Sequence, residues 1–377
     1  MPNSTKAPKS FSGFSESFST LTDPRRTKRG NFKYPLEEIL FLTISAAVSD
    51  STNWSQIHVF GESKLDWLRQ YFPFRHGIPS EDVLASLFAR LDSEKFCQCF
   101  IDWVGKRVKL QEGEVIAIDG KTACRSDDKR NGHPALHVVS AYASQNRVTL
   151  GQQKVNGKSN EVTAIPALLN LLNIEKGIVS IDAMGCQKEI ASKIREKKAD
   201  YILMVKGNQA TLLEEIKAVF SCTPPAWKHT EEDFGHGRIE TRSCKVVNDL
   251  QFLDERHNWK DLKSIIEIER KTIDKQTLKE TMQTSYYISS ALHDAWKFNQ
   301  DIRSHWSVEN NLHWSLDVLF GEDRSLKKKG NSAINFNIIA KTALALIEKE
   351  PTPKRSRVQK MKKCAFDDSF REKVLNL

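Results

Sequence analysis

The sequence lacks several features that are typical of membrane and secreted proteins. It has no run of about 18 apolar residues, the length that a membrane-spanning helix needs. Its first residues, Met-Pro-Asn-Ser-Thr-Lys, have no apolar core of the kind that a signal peptide carries. Its seven cysteines are an odd number without C-x-x-C spacing, which argues against a disulfide framework or a cysteine zinc site. We therefore expect a cytoplasmic protein with reduced thiols and no contact with a membrane.

Positive charge is unevenly distributed along the chain. The net charge is +9, but residues 1–35 carry seven Lys or Arg against two acids, and residues 351–377 carry eight against three. Each end is thus +5, and residues 36–350 are left at −1. This excess fits solvated tails as well as it fits basic arms that grip nucleic-acid phosphates. The charge alone leaves both interpretations open.

Pattern and composition divide the chain into regions, and its 377 residues are enough for two or three domains. Residues 1–20 are rich in Ser, Thr and Phe and are predicted to be flexible, whereas residues 21–110 show helical periodicity. Strands and helices alternate over residues 111–347. Within that region, residues 221–285 contain a Pro-Pro pair, a Gly-His-Gly turn and strand-like segments, which predict a mainly β insertion. Residues 348–377 form a basic C-terminal tail.

The order of the predicted elements indicates an α/β fold. Three strands in a meander are followed by helix, strand, helix and strand, which is the pattern of a mixed sheet with helical crossovers. This order matches the ribonuclease-H-like fold, in which the first and fourth strands are neighbours. The predicted strands cover residues 114–121, 136–143, 147–155, 177–182 and 200–206. A long helix is predicted over 299–320, and a last apolar helix over 333–347.

Three acidic residues stand at positions where a fold can hold a carboxylate rigidly. Asp119 and Asp182 each end an apolar run, and Glu309 lies in a helix-like stretch. Either aspartate alone could be a helix cap or a loop residue, but a small residue follows each and leaves room for a ligand. Three such carboxylates are what a nuclease needs to hold two divalent metal ions, and oxygen ligands favour Mg²⁺ or Mn²⁺. The sequence therefore predicts phosphoryl transfer on nucleic acid.

The helix around Glu309 carries a polar stripe. His305, Glu309, His313 and Asp317 recur at every fourth position and so share one face. Such a stripe is usually solvated, yet exposed faces favour Lys and Glu rather than His and Asn. The two histidines and the glutamate could also hold zinc, although no further group of zinc ligands stands near them in the sequence.

Other basic and polar residues follow the predicted strands or flank the helix of Glu309. Ligands bind at the carboxyl ends of the strands in open α/β sheets, so these residues would face the same crevice as the acids. Each of them alone is more often a solvated surface residue. As a set they are candidate contacts to the DNA backbone: Lys121, Arg125, Lys206, Asn208, His236, Arg238, Arg303, His305 and Asn310.

A series of short motifs runs in order from about residue 30 to residue 347. It includes Ile118-Asp-Gly-Lys-Thr, Ile181-Asp-Ala-Met-Gly-Cys-Gln-Lys, Lys206-Gly-Asn-Gln and His305-Trp-Ser-Val-Glu-Asn. This series resembles the H-repeat-associated family of bacterial insertion-sequence transposases, which belongs to the DDE transposases. The resemblance implies a ribonuclease-H-like core in which Asp119, Asp182 and Glu309 form the metal-binding triad. It also implies that residues 21–110 are a transposase-associated helical domain.

The chain departs from related transposases beside the third acid. Many of them carry a Tyr, Arg and Lys set there, with the Arg four residues before the Glu and the Lys seven residues after it. This sequence has His305 and Leu316 at those positions. His305, Asn310 and Arg303 are the candidates to replace the set.

The resemblance also implies an activity, cofactors and partners. The enzyme would cut DNA at the ends of a mobile element and join the freed 3′-hydroxyl to target DNA, with two Mg²⁺ or Mn²⁺ ions. Its partners would be the terminal inverted repeats and target DNA, bound by a homodimer in the nucleoid of a bacterial cytoplasm. A catalytically silent or domesticated DNA-binding protein and a general metal-dependent nuclease are the alternative functions.

Overall fold

Helices form the first part of the chain and a nine-stranded sheet dominates the rest. The computed structural model describes residues 16–25, 32–127, 132, 134–155, 160–235 and 237–375. Within these ranges, no helix is both long and apolar enough to cross a membrane.

The N-terminal helices surround one helix that is buried along almost its whole length. That helix, α1, buries 12 of its 13 residues because it is apolar on nearly every side. Asn53 caps the next helix by accepting a hydrogen bond from the Gln56 N–H, and Asp92 caps another. Ser80 occupies an N-cap position, but its side chain makes no capping bond. The helices are α1 Leu36–Val48, α2 Trp54–Ser63, α3 Leu65–Leu68, α4 Glu81–Arg90 and α5 Ser93–Arg107.

One mixed sheet contains all nine strands, in the spatial order β3-β2-β1-β4-β5-β9-β8-β7-β6. β1 pairs in parallel with β4, as the sequence predicts, and antiparallel with β2. β4 and β5 are also parallel, and every other pair is antiparallel. The strands are β1 Val115–Thr122, β2 His137–Ala143, β3 Val148–Lys154, β4 Ile178–Ile181, β5 Asp200–Val205, β6 Trp227–Gly235, β7 Arg238–Val247, β8 Ser264–Asp274 and β9 Glu280–Ser289.

Residues 221–285, which the sequence predicts to be an insertion, extend this sheet. β9 pairs antiparallel with β5, and β8, β7 and β6 follow outward from it. The segment is mainly β, as its composition predicts, but it does not form a separate layer above the sheet. Its strands therefore present one face to the same side as β1 and β4.

Helices cover both faces of the sheet, and the helix that was predicted over 299–320 is divided into three. It begins earlier, at Ala295, where Asp294 caps it, and its middle segment is a π-helix. A π-segment inserts a wider turn into a helix and is frequent at functional sites. The elements are α6 Glu161–Leu171, α7 Lys188–Glu196, α8 Ala210–Cys222, α9 Ala295–His305, the π-helix Val308–His313, α10 Trp314–Val318, α11 Ser332–Lys349, α12 Arg357–Phe366 and α13 Asp368–Leu375.

Alternation along the strands decides which side chains share the face that α9 covers. Val115 of β1 and Ile178 of β4 pack with Phe298 and Ile302 of α9 in one apolar cluster. Because successive side chains of a strand point to opposite faces, residues four positions further along lie on this same face. Those residues are Asp119 and Asp182.

The C-terminal segment is not the solvated basic tail that its composition suggested. α12 and α13 bury Met361, Cys364, Phe370 and Val374, which recur at helical spacing. Arg371 is fully buried, donates to the Cys364 carbonyl oxygen (2.7 Å), and its guanidinium lies 4.0 Å from the Trp67 ring centre. Arg371, one of the cations of this segment, therefore stabilises packing against the N-terminal helices. Of the N-terminal basic run, residues 26–31 lie outside the described residues.

We predict that Arg371→Ala lowers the free energy of unfolding by about 2–3 kcal/mol, because it removes a buried cation–aromatic contact and two hydrogen bonds. Chemical denaturation followed by circular dichroism measures this change. Arg355→Ala is the matched control, since Arg355 is exposed and its loss should cost less than about 0.5 kcal/mol. Equal stabilities of the two variants would show that the contacts of Arg371 do not stabilise the fold.

Candidate active site

The parallel pairing of β1 and β4 places two aspartates side by side. Ile118 lies opposite Ile181 in the register, so Asp119 and Asp182 are the next residues on the two strands. Neighbouring strands lie about 4.8 Å apart. β1 continues beyond Asp119 to Thr122 because β2 supplies pairing partners as far as His137.

Backbone N–H groups orient both carboxylates. Oδ1 of Asp119 accepts a hydrogen bond from the N–H of Gly120 (2.9 Å). Oδ1 of Asp182 accepts from the N–H groups of Met184 (3.0 Å) and Gly185 (3.4 Å) and caps the short 3-10 helix Ala183–Gly185. Asp182 is thus a cap, one of the ordinary roles of an aspartate at a strand end, and it lines a cavity as well.

The third acid reaches this cavity from the π-helix. Glu309 is exposed and lines a cavity of about 280 Å³ together with Asp119 and Asp182. A second cavity of about 640 Å³ shares Glu309 with the first and extends along the strands of the insertion. The three acids that the sequence singled out are therefore brought to one cavity from separate elements.

Asp119 is electrostatically strained. Burial raises its pKa to about 7, and the nearby carboxylates of Asp182, Glu161 and Glu309 push it in the same direction. Like charges around a half-buried carboxylate disfavour ionisation. A cation between these carboxylates would remove the repulsion.

Glu161, at the start of α6, is a fourth acid that the sequence analysis did not select. Its Oε1 lies 2.7 Å from Nε2 of His137, whose Nδ1 lies 2.7 Å from the Thr122 hydroxyl. A Cβ atom on Gly120 would lie 2.1 Å from Oε1 of Glu161, so a larger residue there would displace this carboxylate from its contact with His137. The glycine after Asp119 therefore makes room for a neighbouring protein side chain.

The polar stripe on the helix of Glu309 faces the sheet. His305 is half-buried beside the Ser180 backbone, and desolvation lowers its pKa. Nδ1 of His313 lies 3.6 Å from Oδ2 of Asp119, and burial lowers the pKa of His313 to about 3, with Lys341 and Lys121 acting in the same direction. The imidazole of His313 is therefore neutral near pH 7 and adds no positive charge beside Asp119.

No three His, Cys, Asp or Glu residues among those described are placed to hold a single metal ion. The zinc site that His305, Glu309 and His313 could form thus finds no support. The three acids likewise share a cavity without converging on one point. A pair of ions does not require that convergence, because Mg²⁺ takes one or two carboxylates and completes its shell with water and substrate phosphates.

Two of the candidate phosphate contacts are ion-paired within the protein. Lys121 lies within 3.5 Å of Asp317, Glu322 and Asp323, and its side chain is mostly buried. Arg303 is bound by Glu231 and Asp233. Lys121 of β1 meets acids of α10 and of the short segment after it, and Arg303 of α9 meets acids of β6. Neither is free to contact phosphate in this structure.

The remaining candidates differ in whether they line one of the two cavities. Lys206 is exposed and lines the cavity of the three acids, whereas Arg238 and Asn310 line the larger one. Asn208 donates to the Ala183 carbonyl oxygen (2.7 Å) and so joins the loops that follow β4 and β5. Arg125 is exposed in the loop after β1 and lines neither cavity. His236 lies outside the described residues.

Two arginines that the sequence analysis did not select line both cavities. They are Arg242 on β7 and Arg270 on β8. The signal that could have found them is alternation: Arg242 continues the row of Val246 and Cys244, and Arg270 continues that of Ile266 and Ile268. Each row changes from apolar to cationic at the level of the acids.

Two family models and two relatives of this chain are described as transposases or transposase-associated. A family model described as "Transposase DDE domain" matches residues 110–346, and one described as "DDE_Tnp_1-associated" matches residues 15–104. "Putative transposase YncI" of Escherichia coli O157:H7 is 41% identical over 93% of this chain and 92% of its own length. "H repeat-associated putative transposase YhhI" of Escherichia coli K12 is 39% identical over 96% of this chain and 97% of its own length. The chain therefore belongs to the DDE transposase family.

Proposed function

We propose that this protein is an active transposase that cuts DNA at the ends of a mobile element and joins the freed 3′-hydroxyl to target DNA. The observation that carries the proposal is the meeting of Asp119, Asp182 and Glu309 at one cavity, from two neighbouring strands and a π-helix. The order β3-β2-β1-β4-β5 supports our assignment of these strands to a ribonuclease-H-like core. We place the domains at residues 21–110 and 111–347.

The donor set fits two Mg²⁺ or Mn²⁺ ions. Carboxylate oxygens are the ligands that these hard ions prefer. Burial first, and the nearby carboxylates second, raise the pKa of Asp119, and a cation would stabilise its ionised form. Asp119, Asp182 and Glu309, which line one cavity, would hold these ions. When bound, such a pair activates the attacking oxygen and stabilises the leaving oxygen of an in-line displacement.

The chain's own residues would orient the reaction. The N–H groups of Gly120 and Gly185 fix the directions of the two aspartates. Lys206 would contact a phosphate beside them, since it is exposed at the same cavity. Joining two element ends requires both to be held at once, so we propose that a homodimer binds DNA.

Two other functions make different predictions. A catalytically silent DNA-binding protein would bind element ends without nicking them in Mg²⁺. A general metal-dependent nuclease would cut duplexes that lack the terminal repeats and would join no ends. Cleavage that needs the repeats and is followed by joining to a target plasmid supports transposition over both.

We predict that Asp119→Asn, Asp182→Asn and Glu309→Gln each reduce cleavage and strand transfer by at least about 100-fold, more than the loss of an outer-shell partner costs. DNA binding should remain, because the acids do not supply the attraction to phosphate. Gel assays on labelled duplexes carrying the terminal repeats measure cleavage, joining and binding together.

Glu189→Gln is the matched control for these variants, since Glu189 is exposed on α7 and lines neither cavity. It should cleave like the wild type. If a triad variant cleaves as fast as this control, the acid that it replaces is not needed for catalysis.

We predict that Asp119→Asn stabilises the metal-free protein at pH 8. The pKa of Asp119 is raised from 3.8 to about 7 in the folded state, so the folded state loses stability as pH rises from about 4 to 7. The asparagine variant escapes this loss and should gain about 1–3 kcal/mol at pH 8, with no gain at pH 4. Thermal melts in EDTA at both pH values measure the difference.

Magnesium should reverse the order of these melting temperatures. It should raise that of the wild type at pH 8, because cations relieve the repulsion, and it should leave Asp119→Asn almost unchanged. Asp66→Asn, at an exposed position, should behave like the wild type throughout. A metal-free Asp119→Asn protein that melts below the wild type at pH 8 would show that burial and the nearby carboxylates do not destabilise the ionised form of Asp119 as described.

A further inference from the structure

The wall of the two cavities contains a pair of arginines without an acidic partner. Only 7% of Arg242 is exposed, and its Nε has no hydrogen-bond partner within the described part of the chain. Arg270 donates one N–H to Oε1 of Gln283 (2.9 Å). Neither arginine forms an ion pair with any residue that the structure describes. A guanidinium that is buried without a counter-charge is costly.

The register of the sheet increases this cost. Arg242 lies directly opposite Arg270 on the neighbouring strand. Like charges in directly opposed positions destabilise a sheet. Burial lowers the pKa of Arg242, and the attraction of Glu240, two residues away on the same face, opposes this effect only in part.

A third arginine on the same wall shows that the fold can supply acids here. Arg303 binds Glu231 (3.2 Å) and Asp233 (2.6 Å). Glu231 is also the strand partner of Arg242, yet it lies against Arg303. Glu231 and Asp233 are thus engaged by Arg303, and Glu240 attracts Arg242 without forming an ion pair with it among the described residues.

The position of the pair points to an anion beside Glu309. Arg242 and Arg270 line the cavity of the three acids as well as the larger cavity, and Glu309 lines both. Along the strands, both arginines follow the apolar rows that pack on α9, at the level where that helix gives way to the π-helix. An anion held by the pair would therefore lie in the same cavity as the three carboxylates.

We propose that Arg242 and Arg270 form a clamp for one phosphodiester group of the DNA strand that occupies the cavity beside Glu309. The clamp rests on the proposed function and adds positioning residues to it. Arginine presents paired N–H donors in a plane that matches two phosphate oxygens. The phosphate supplies the missing counter-charge and relieves the repulsion between the two guanidinium groups.

Binding of a labelled duplex of random sequence, in Ca²⁺ and between 50 and 200 mM salt, tests the clamp. Arg242→Gln should weaken binding about 10-fold and reduce the slope of log affinity against log salt by about 0.9, the value for one phosphate. Arg270→Gln should act in the same direction. Arg242→Lys should keep the slope of the wild type, because it keeps the charge.

Lys271→Gln is the matched control. Lys271 is the next residue on β8, lies on the opposite face and pairs with Glu280. Its loss should leave affinity and slope unchanged. A reduction in slope as large as that of Arg270→Gln would overturn the clamp, because any cation on the strand would then serve.

Stability separates a ligand-binding role from a structural one. Removing one of two opposed cations should leave the melting temperature of Arg242→Gln equal to or above that of the wild type. A lower melting temperature together with an unchanged slope would overturn the clamp. If Arg242→Gln does not fold, the slope of Arg270→Gln decides, since Arg270 is only half-buried.

The test of the clamp does not depend on cleavage. Suppose that the wild type cuts no element end, but that the arginine variants bind DNA with a smaller salt slope. This result would contradict the proposed function and support the clamp. A wild type that cuts normally, with arginine variants that keep its slope, would overturn the clamp alone.

Discussion

The rest of the site depends on the parallel pairing of β1 with β4, which sets two carboxylates next to each other against their mutual repulsion. The apolar residues before each aspartate are buried on both faces of the sheet, so the register Ile118–Ile181 cannot slip without exposing them. The strands thus hold Asp119 beside Asp182, where burial and, to a lesser extent, the neighbouring carboxylates raise its pKa. The free energy of the core keeps this charge arrangement in place before any cation binds.

The continuous sheet explains how the insertion joins the site. Since β9 pairs with β5, the strands that follow it outward share the face on which Asp119 and Asp182 lie. α9 crosses that face and covers its apolar part, and the π-helix beyond it brings in Glu309. The uncovered part carries Arg242 and Arg270. Acids and arginines therefore occupy opposite sides of one crevice, although the body of the chain is almost neutral.

Much of this arrangement could be predicted from local patterns, and the rest depends on long-range pairing. The strands around Asp119 and Asp182 are continuous apolar runs ended by an acid, so both their positions and their neighbourhood were foreseeable. The partner of Lys121 was not, because Asp317 and Glu322 approach it from elements about 200 residues away. The packing of Arg371 against Trp67 and the opposition of Arg242 to Arg270 likewise arise from contacts that no short window contains.

We propose that Asp119, Asp182 and Glu309 act as one binding site for divalent cations. Anomalous diffraction at the manganese edge, from crystals of the protein bound to DNA and soaked in Mn²⁺, detects such a site. We expect two peaks about 3.5–4 Å apart, both in the cavity that the three carboxylates line and both absent from Asp119→Asn crystals. Manganese bound only elsewhere, or no manganese at an occupied DNA complex, would rule this site out.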